Sequence, residues 1–307
     1  MEWQQLLGFY QVARLGSFTR AAQATFRSQS ALSQQIKALE EEFGCPLLER
    51  IGKRRLSLTP AGEIFFGFAE ATLQGLTRLT EELNEIKGLY KGALRLAAPF
   101  TTLFHLFRWV IKEYTARFPQ VRLTILDRSQ EAVVELVKTG EIDFGVALES
   151  VVPKDLKAHH WQPVEMFLMV PKGHPLTRVK RLTMKELAAY PLILPPRRAG
   201  ARGGLTMEDH LRKAGVDYHV ILESSNVELS SLYVELGLGI SFATMVRDLP
   251  GPQGRNLDFI PLRHYFKPDH LAVVMRKDKS LPAYKSAFLE MLFGAVGLEW
   301  PEPEGKR

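Results

Sequence analysis

Between Ser28 and Lys37 the chain gathers Ser28, Gln29, Ser30, Ser33, Gln34 and Lys37, a density of short hydrogen-bonding side chains and one cation that suits contact with a polyanion carrying readable edges. A glutamine amide offers the paired donor and acceptor that match adenine, and serine hydroxyls reach phosphates or base edges at close approach. Acids are absent from this stretch and return only as Glu40, Glu41 and Glu42. A second cationic group, Arg50, Lys53, Arg54 and Arg55, follows within twenty residues. Up to Pro60 there are eight basic residues against five acidic ones, so the excess of positive charge is local. Three adjacent cations fit a phosphate contact better than a merely solvated turn.

The surrounding pattern predicts the elements that must hold these side chains. Leu6, Phe9, Tyr10 and Ala13 recur at helical spacing before a stop at Gly16, and Ser17 caps a short helix to Thr25 whose Ala21 and Ala22 permit a close crossing. After a turn at Phe26-Arg27, Ser28 caps a third helix with Leu32, Ile36, Leu39 and Phe43 as its apolar stripe and Gly44 as its end. Ser30, Ser33, Gln34 and Lys37 then occupy the opposite face, near the N-terminal half. Leu47 to Glu49 and Leu56 to Leu58 read as short strands around the Gly52-Lys53-Arg54 turn, a wing. Thr59 and Pro60 start a long helix to about Lys87, in which Leu76, Leu79, Leu83 and Ile86 follow a coiled-coil spacing. That seam implies a dimer, with packing against the chain's own second domain as the alternative.

Gly88 and Gly92 mark a hinge, and strands alternating with helices follow, the order of an open α/β architecture. Strands are predicted at Leu94 to Ala98, Val121 to Leu126 and Ile142 to Leu148, with helices over Leu103 to Phe118 and Glu131 to Thr139. A second series has strands at Phe167 to Val170, Leu192 to Leu194 and Val220 to Glu223, and helices at Met184 to Tyr190, Met207 to Ala214 and Val227 to Leu236. Leu271 to Met275 and the helix from Pro282 to Phe293 return to the first unit, so two lobes enclose a cleft. The expected division is 1–59, 60–92 and 93–307, with lobe I at about 93–162 and 267–307 and lobe II at about 163–266.

Ligands of open α/β folds bind beyond the carboxyl ends of the strands. This selects Pro99, Phe100, Thr101 and Thr102 after the first strand, Ser129 and Gln130 after the second, and Leu148 and Glu149 after the third. Arg202 and Asn226 can close the cleft from lobe II. Plain helix capping competes with each polar assignment. His159-His160 has no further ligand at metal spacing and reads as a solvated loop, so no metal and no cofactor are expected. Gly237-Leu238-Gly239 lacks a third glycine and a preceding strand, and reads as a tight turn between helix and strand.

The 307 residues, 46% hydrophobic and 24% charged, describe a globular chain of two or three domains with a net charge of +6. The N-terminus shows no export signal and no run is long enough for a membrane span, so a cytoplasmic protein without a membrane partner is expected. Cys45 stands alone and forms no intramolecular disulfide; it reads as a small core residue. No nucleophile, base and orienter come together as an enzyme needs.

Ser17-Phe18-Thr19-Arg20-Ala21-Ala22, Ser28 to Ile36, Leu39-Glu40 and Leu58-Thr59-Pro60-Ala61-Gly62 together resemble the LysR-type transcriptional regulators. Phe118-Pro119, Gly140-Glu141-Ile142-Asp143 and Gly237-Leu238-Gly239-Ile240 extend the resemblance over nearly the whole chain. It implies a mainly α winged helix-turn-helix domain and a long dimerising linker helix, followed by a two-lobed α/β effector domain of the periplasmic-binding-protein type. It also implies double-stranded DNA and RNA polymerase as partners, a dimer commonly extended to a homotetramer, and a small-molecule effector such as a small anion or organic acid. Gln29, Ser33, Gln34 and Lys37 would face the major groove, and Arg50, Arg54 and Arg55 would serve the wing. Gln34 stands where arginine is frequent in the family, which argues against a strong guanine preference there. Val227 to Met245 is similar to the sulfur-assimilation branch, although Glu149 is a poor match to an anion pocket.

Overall fold

The computed structural model describes residues 1–51, 55–196, 206–246, 255–279 and 281–301. They form two compact units, Met1–Leu89 and Tyr90–Arg307.

The first unit is built from local signals. Helix α1 (Trp3–Leu15) ends at Gly16 in the left-handed region, φ 58°. Helices α2 (Phe18–Thr25) and α3 (Gln29–Phe43) start on the hydroxyls of Ser17 and Ser28, which accept from the amides of Arg20 and Ala31. Each such cap stabilises its helix by about 1 kcal/mol. Phe9, Val12, Ala21, Ala22, Leu32, Ile36, Leu39, Leu47 and Phe65 make one core. Cys45 is half-buried and packs at its margin.

The wing consists of β1 (Leu48–Ile51) and β2 (Arg55–Leu58), paired antiparallel. The Glu40 carboxylate accepts from the Leu47 and Leu48 amides at 2.8 and 3.1 Å, tying the end of α3 to the first wing strand. Thr59 caps α4 (Pro60–Ile86) and also donates its hydroxyl to the Pro46 carbonyl at 2.7 Å. Gly62 is required there, since a Cβ would fall 1.9 Å from the Leu47 carbonyl oxygen. The motif from Leu58 to Gly62 is thus a joint holding the wing on the long helix.

The second unit opens with β3 (Gly92–Ala98), α5 (Phe100–Leu106), α6 (Arg108–Arg117), β4 (Val121–Asp127), α7 (Gln130–Lys138) and β5 (Phe144–Leu148). The helix expected over Leu103 to Phe118 therefore starts earlier and breaks at Phe107. That side chain is fully buried, with its ring 5.9 Å from Trp161 and 5.8 Å from Phe288, and the chain bends to place it there. The strand expected from Ile142 begins two residues later, because Asp143 instead donates its amide to the Arg95 carbonyl and turns its carboxylate inward.

Next come β6 (Leu156–Pro171), α8 (Met184–Ala188), β7 (Leu192–Leu194), α9 (Met207–Lys213), β8 (Val220–Glu223), α10 (Val227–Glu235), β9 (Ile240–Val246), β10 (Leu257–Pro261), β11 (Asp269–Arg276) and α11 (Ala283–Gly294). Among the described residues the strands join one nine-stranded sheet, β4-β3-β5-β11-β6-β9-β7-β8, with β10 beside β6. Strand β6 is far longer than the expected Phe167 to Val170. It pairs with β11 over Leu156–Val164, then with β9 and β10, and so runs from one lobe into the other. His159 and His160 lie on this strand, not in a solvated loop.

Each lobe has its own core. Phe107, Tyr114, Phe144, Trp161 and Phe288 anchor the first, while Leu168, Leu192, Leu211, Ile240 and Leu262 anchor the second. Two buried polar groups in the first are partnered: the Tyr114 hydroxyl donates to the Tyr284 carbonyl at 2.8 Å, and the Trp161 indole to that of Leu292 at 3.2 Å.

Candidate functional site

Two sites are built by these elements, one in each unit. In the first, Leu32, Ile36 and Leu39 hold α3 in the core, which turns Ser28, Gln29, Ser30, Ser33, Gln34 and Lys37 outward, all exposed. The Ser28 and Ser30 hydroxyls lie 3.0 Å apart, and Lys37 pairs with Glu41 at 3.5 Å on the surface, an interaction water screens and a phosphate can displace. The Thr19 hydroxyl approaches the Gln29 amide oxygen at 3.5 Å, linking α2 to the start of α3. Arg50 and Arg55 stand opposite Leu56 and Ile51 on the wing strands, whereas Lys53 and Arg54 lie outside the described residues.

Along α4, Leu76, Leu79 and Leu83 are 48, 51 and 48% exposed and Ile86 is 83% exposed. These side chains form one open apolar stripe along the helix.

In the second unit, β3, β4 and β5 run parallel, so their carboxyl ends share one edge of the sheet. Pro99 leads into α5, where Phe100 stacks on Phe104 at 5.5 Å, Thr101 is half-buried and Thr102 is buried. Ser129 precedes α7 without a capping bond from its side chain. The Gln130 side-chain oxygen accepts from the Leu148 amide at 2.8 Å, which fixes the end of β5. Asn226 caps α10 by accepting from the Leu229 amide at 3.1 Å. Arg202 lies outside the described residues. Glu149 faces two histidines: its carboxylate meets His160 Nε2 at 2.6 Å and His270 Nδ1 at 4.0 Å.

Sequence reading missed two arrangements here. One is the His160, His270 and Glu149 group, whose members are far apart in the chain and share no local spacing. The other is a contact between helices, where His105 Nε2 on α5 meets the Glu228 carboxylate on α10 at 2.6 Å. Neighbouring His159 has other company, its ring 4.6 Å from Trp300, and burial followed by the nearby Lys157 charge pushes its pKa down.

Residues 3–63 match the family model described as the bacterial regulatory helix-turn-helix protein of the lysR family, and residues 87–296 match the LysR substrate binding domain. The chain belongs to the LysR family. It is similar to the HTH-type transcriptional regulator CysB of Burkholderia cenocepacia, 31% identical with 90% of this chain and 88% of that protein covered. The HTH-type transcriptional regulator cbl of Escherichia coli is 29% identical, with 97 and 94% covered. The fold matches a full-length OxyR variant from Pseudomonas aeruginosa, with a TM-score of 0.62 over 98% of this chain and 99% of that one at 23% identity.

Membership fixes the general activity of this LysR-type chain: it is a DNA-binding transcription regulator carrying a ligand-binding domain, and it is not an enzyme. Among the described residues no helix is long and apolar enough to cross a membrane.

Proposed function

We propose that this regulator reads a specific operator through the N-terminal half of α3, pairs through the leucine stripe of α4, and is modulated by a small molecule held between the lobes of its second unit. The exposed polar face of α3 is the observation that carries the reading: six side chains able to contact bases or phosphates share it, with the acids confined to the far end. Gln29 and Gln34 suit adenine, Ser30 and Ser33 suit close contacts, and Lys37 with Arg50, Lys53, Arg54 and Arg55 supplies phosphate attraction. Two copies joined along Leu76, Leu79, Leu83 and Ile86 would present two such helices to paired half-sites, and two dimers would form a tetramer. Contact with RNA polymerase follows for a regulator bound at a promoter.

The effector is a small anion or organic acid entering at the carboxyl edge formed by Pro99, Phe100, Thr101, Thr102, Ser129, Gln130 and Leu148, with Asn226 on the other lobe; Arg202, the remaining candidate, lies outside the described residues. The contact between His105 and Glu228 supports this reading, since it ties α5 to α10. A ligand that prefers one arrangement shifts the population toward it.

Fluorescence anisotropy with the DNA immediately upstream of this protein's own coding region, against excess unrelated DNA at several salt concentrations, tests the operator reading. Gln34→Ala should weaken specific binding by roughly 5- to 150-fold, the loss of one bidentate base contact worth about 1–3 kcal/mol. Lys37→Ala should lower the salt slope by about one and weaken all sequences alike. Unchanged affinity in both variants would remove α3 as the reading element.

A further inference from the structure

We infer that Glu149, His160 and His270 form a binding site for a divalent first-row transition metal ion. This goes beyond the effector reading and does not depend on it. One ligand atom from each residue lies within 4.8 Å of the other two. Donors bound at 2.0–2.2 Å around a tetrahedral ion are about 3.4 Å apart, between the 2.6 Å and 4.0 Å that now separate the Glu149 oxygens from the two imidazoles. The side chains are 42, 57 and 40% exposed in the order given, so each can rotate by the small amount that closure on an ion requires.

The backbone brings the histidines together through one irregularity. Strands β6 and β11 pair Leu271 with Gln162 but Ala272 with His160, so Trp161 is an extra residue on β6. Unshifted pairing would set Trp161 opposite Ala272 and send His160 to the other face of the sheet. With the bulge, His160 shares a face with Ala272 and hence with His270 two residues earlier, and the two rings stack at 4.7 Å and 7°. Leu148 pairs with Leu271, which delivers Glu149 to the same end of β11.

Two imidazoles and one carboxylate suit zinc, cobalt, nickel or copper, whereas magnesium and calcium favour oxygen donors throughout. Three protein ligands leave a coordination position open on the solvent side, and binding replaces the contact between His160 and Glu149 with bonds from both to the ion. A bound divalent cation also turns the charge of this group from negative to positive.

Isothermal titration of the full-length protein with zinc chloride, in a buffer that does not chelate, tests the assignment. The expected result is one strong site per chain that weakens at least tenfold in His160→Ala and in His270→Ala, with magnesium chloride giving no comparable heat. Cobalt chloride gives a second readout: its visible ligand-field bands should appear in the natural protein and in His159→Gln, and vanish in His270→Gln. Unaltered melting of the variants shows that they fold. The assignment is overturned by no zinc binding, by binding that survives loss of both His160 and His270, or by magnesium binding as tightly as zinc.

Discussion

Replacing Asp143 by asparagine should destabilise the second unit strongly, and with a defined dependence on pH. Asp143 is 7% exposed and Lys285 is 6% exposed. The carboxylate lies 3.1 Å from Lys285 Nζ and 2.9 Å from Lys279 Nζ, and it accepts from the Arg95 amide at 2.8 Å. Burial pushes its pKa up, but the charges of Lys279 and Lys285, with the hydrogen bonds from Lys279 and Arg95, outweigh this and hold it below the ordinary value. An asparagine can keep the Arg95 bond but cannot balance the buried ammonium of Lys285. Removing one partner of such a pair costs about 3–5 kcal/mol. For a unit of this size that lowers Tm by roughly 6–20 °C.

The sign with pH follows from the depressed pKa. The stabilisation is fully present above the unfolded value of about 3.9 and is lost as pH falls through the lower folded value. Scanning calorimetry of the full-length protein and the variant should therefore show a constant Tm gap from near-neutral pH down to about 5, narrowing below about 4. Adding Lys285→Met to Asp143→Asn should recover much of the gap, because no buried cation then lacks its counter-charge. A gap under about 2 °C, or one that stays constant into strong acid, would refute this account of the Asp143 cluster.

Leu79→Asp with Leu83→Asp should convert a dimer to monomers in sedimentation velocity, since charges cannot be buried along that stripe; an intact dimer would move the seam elsewhere. Gly62→Ala should weaken operator binding by tenfold or more while leaving the melting of the second unit unchanged, because its Cβ collides with the Leu47 carbonyl and displaces the wing. Normal operator affinity in that variant would mean that the joint between wing and α4 yields without consequence.

The helix-turn-helix was legible in the sequence because every signal that builds it is local. Ser17, Ser28 and Thr59 each cap an amide three residues ahead, and Leu32, Ile36 and Leu39 repeat within two turns of one helix. The parallel strands of the first lobe were legible for the same reason, being short apolar runs between glycine and proline signals. Glu40 was read only as an acid kept away from phosphate, and its two bonds to the wing became visible once the chain had folded back.

Strand β6 resisted reading because its first half contains His159, His160, Gln162 and Pro163, residues that argue against a central strand. The sheet accepts Pro163 where β6 changes neighbours: Val164 is the last residue paired with β11 and the first paired with β9. A proline costs least where one ladder hands over to another, since a missing N–H is then absent from the interior of neither. The same crossover determines which side chains meet at the crevice. Asn226 also caps α10, accepting from the Leu229 amide, and Glu149 faces imidazoles because a single extra residue in β6 rotates His160 toward it. Residue type had already made Glu149 a poor partner for an anion; only the strand register supplies the two histidines that give its charge something to bind.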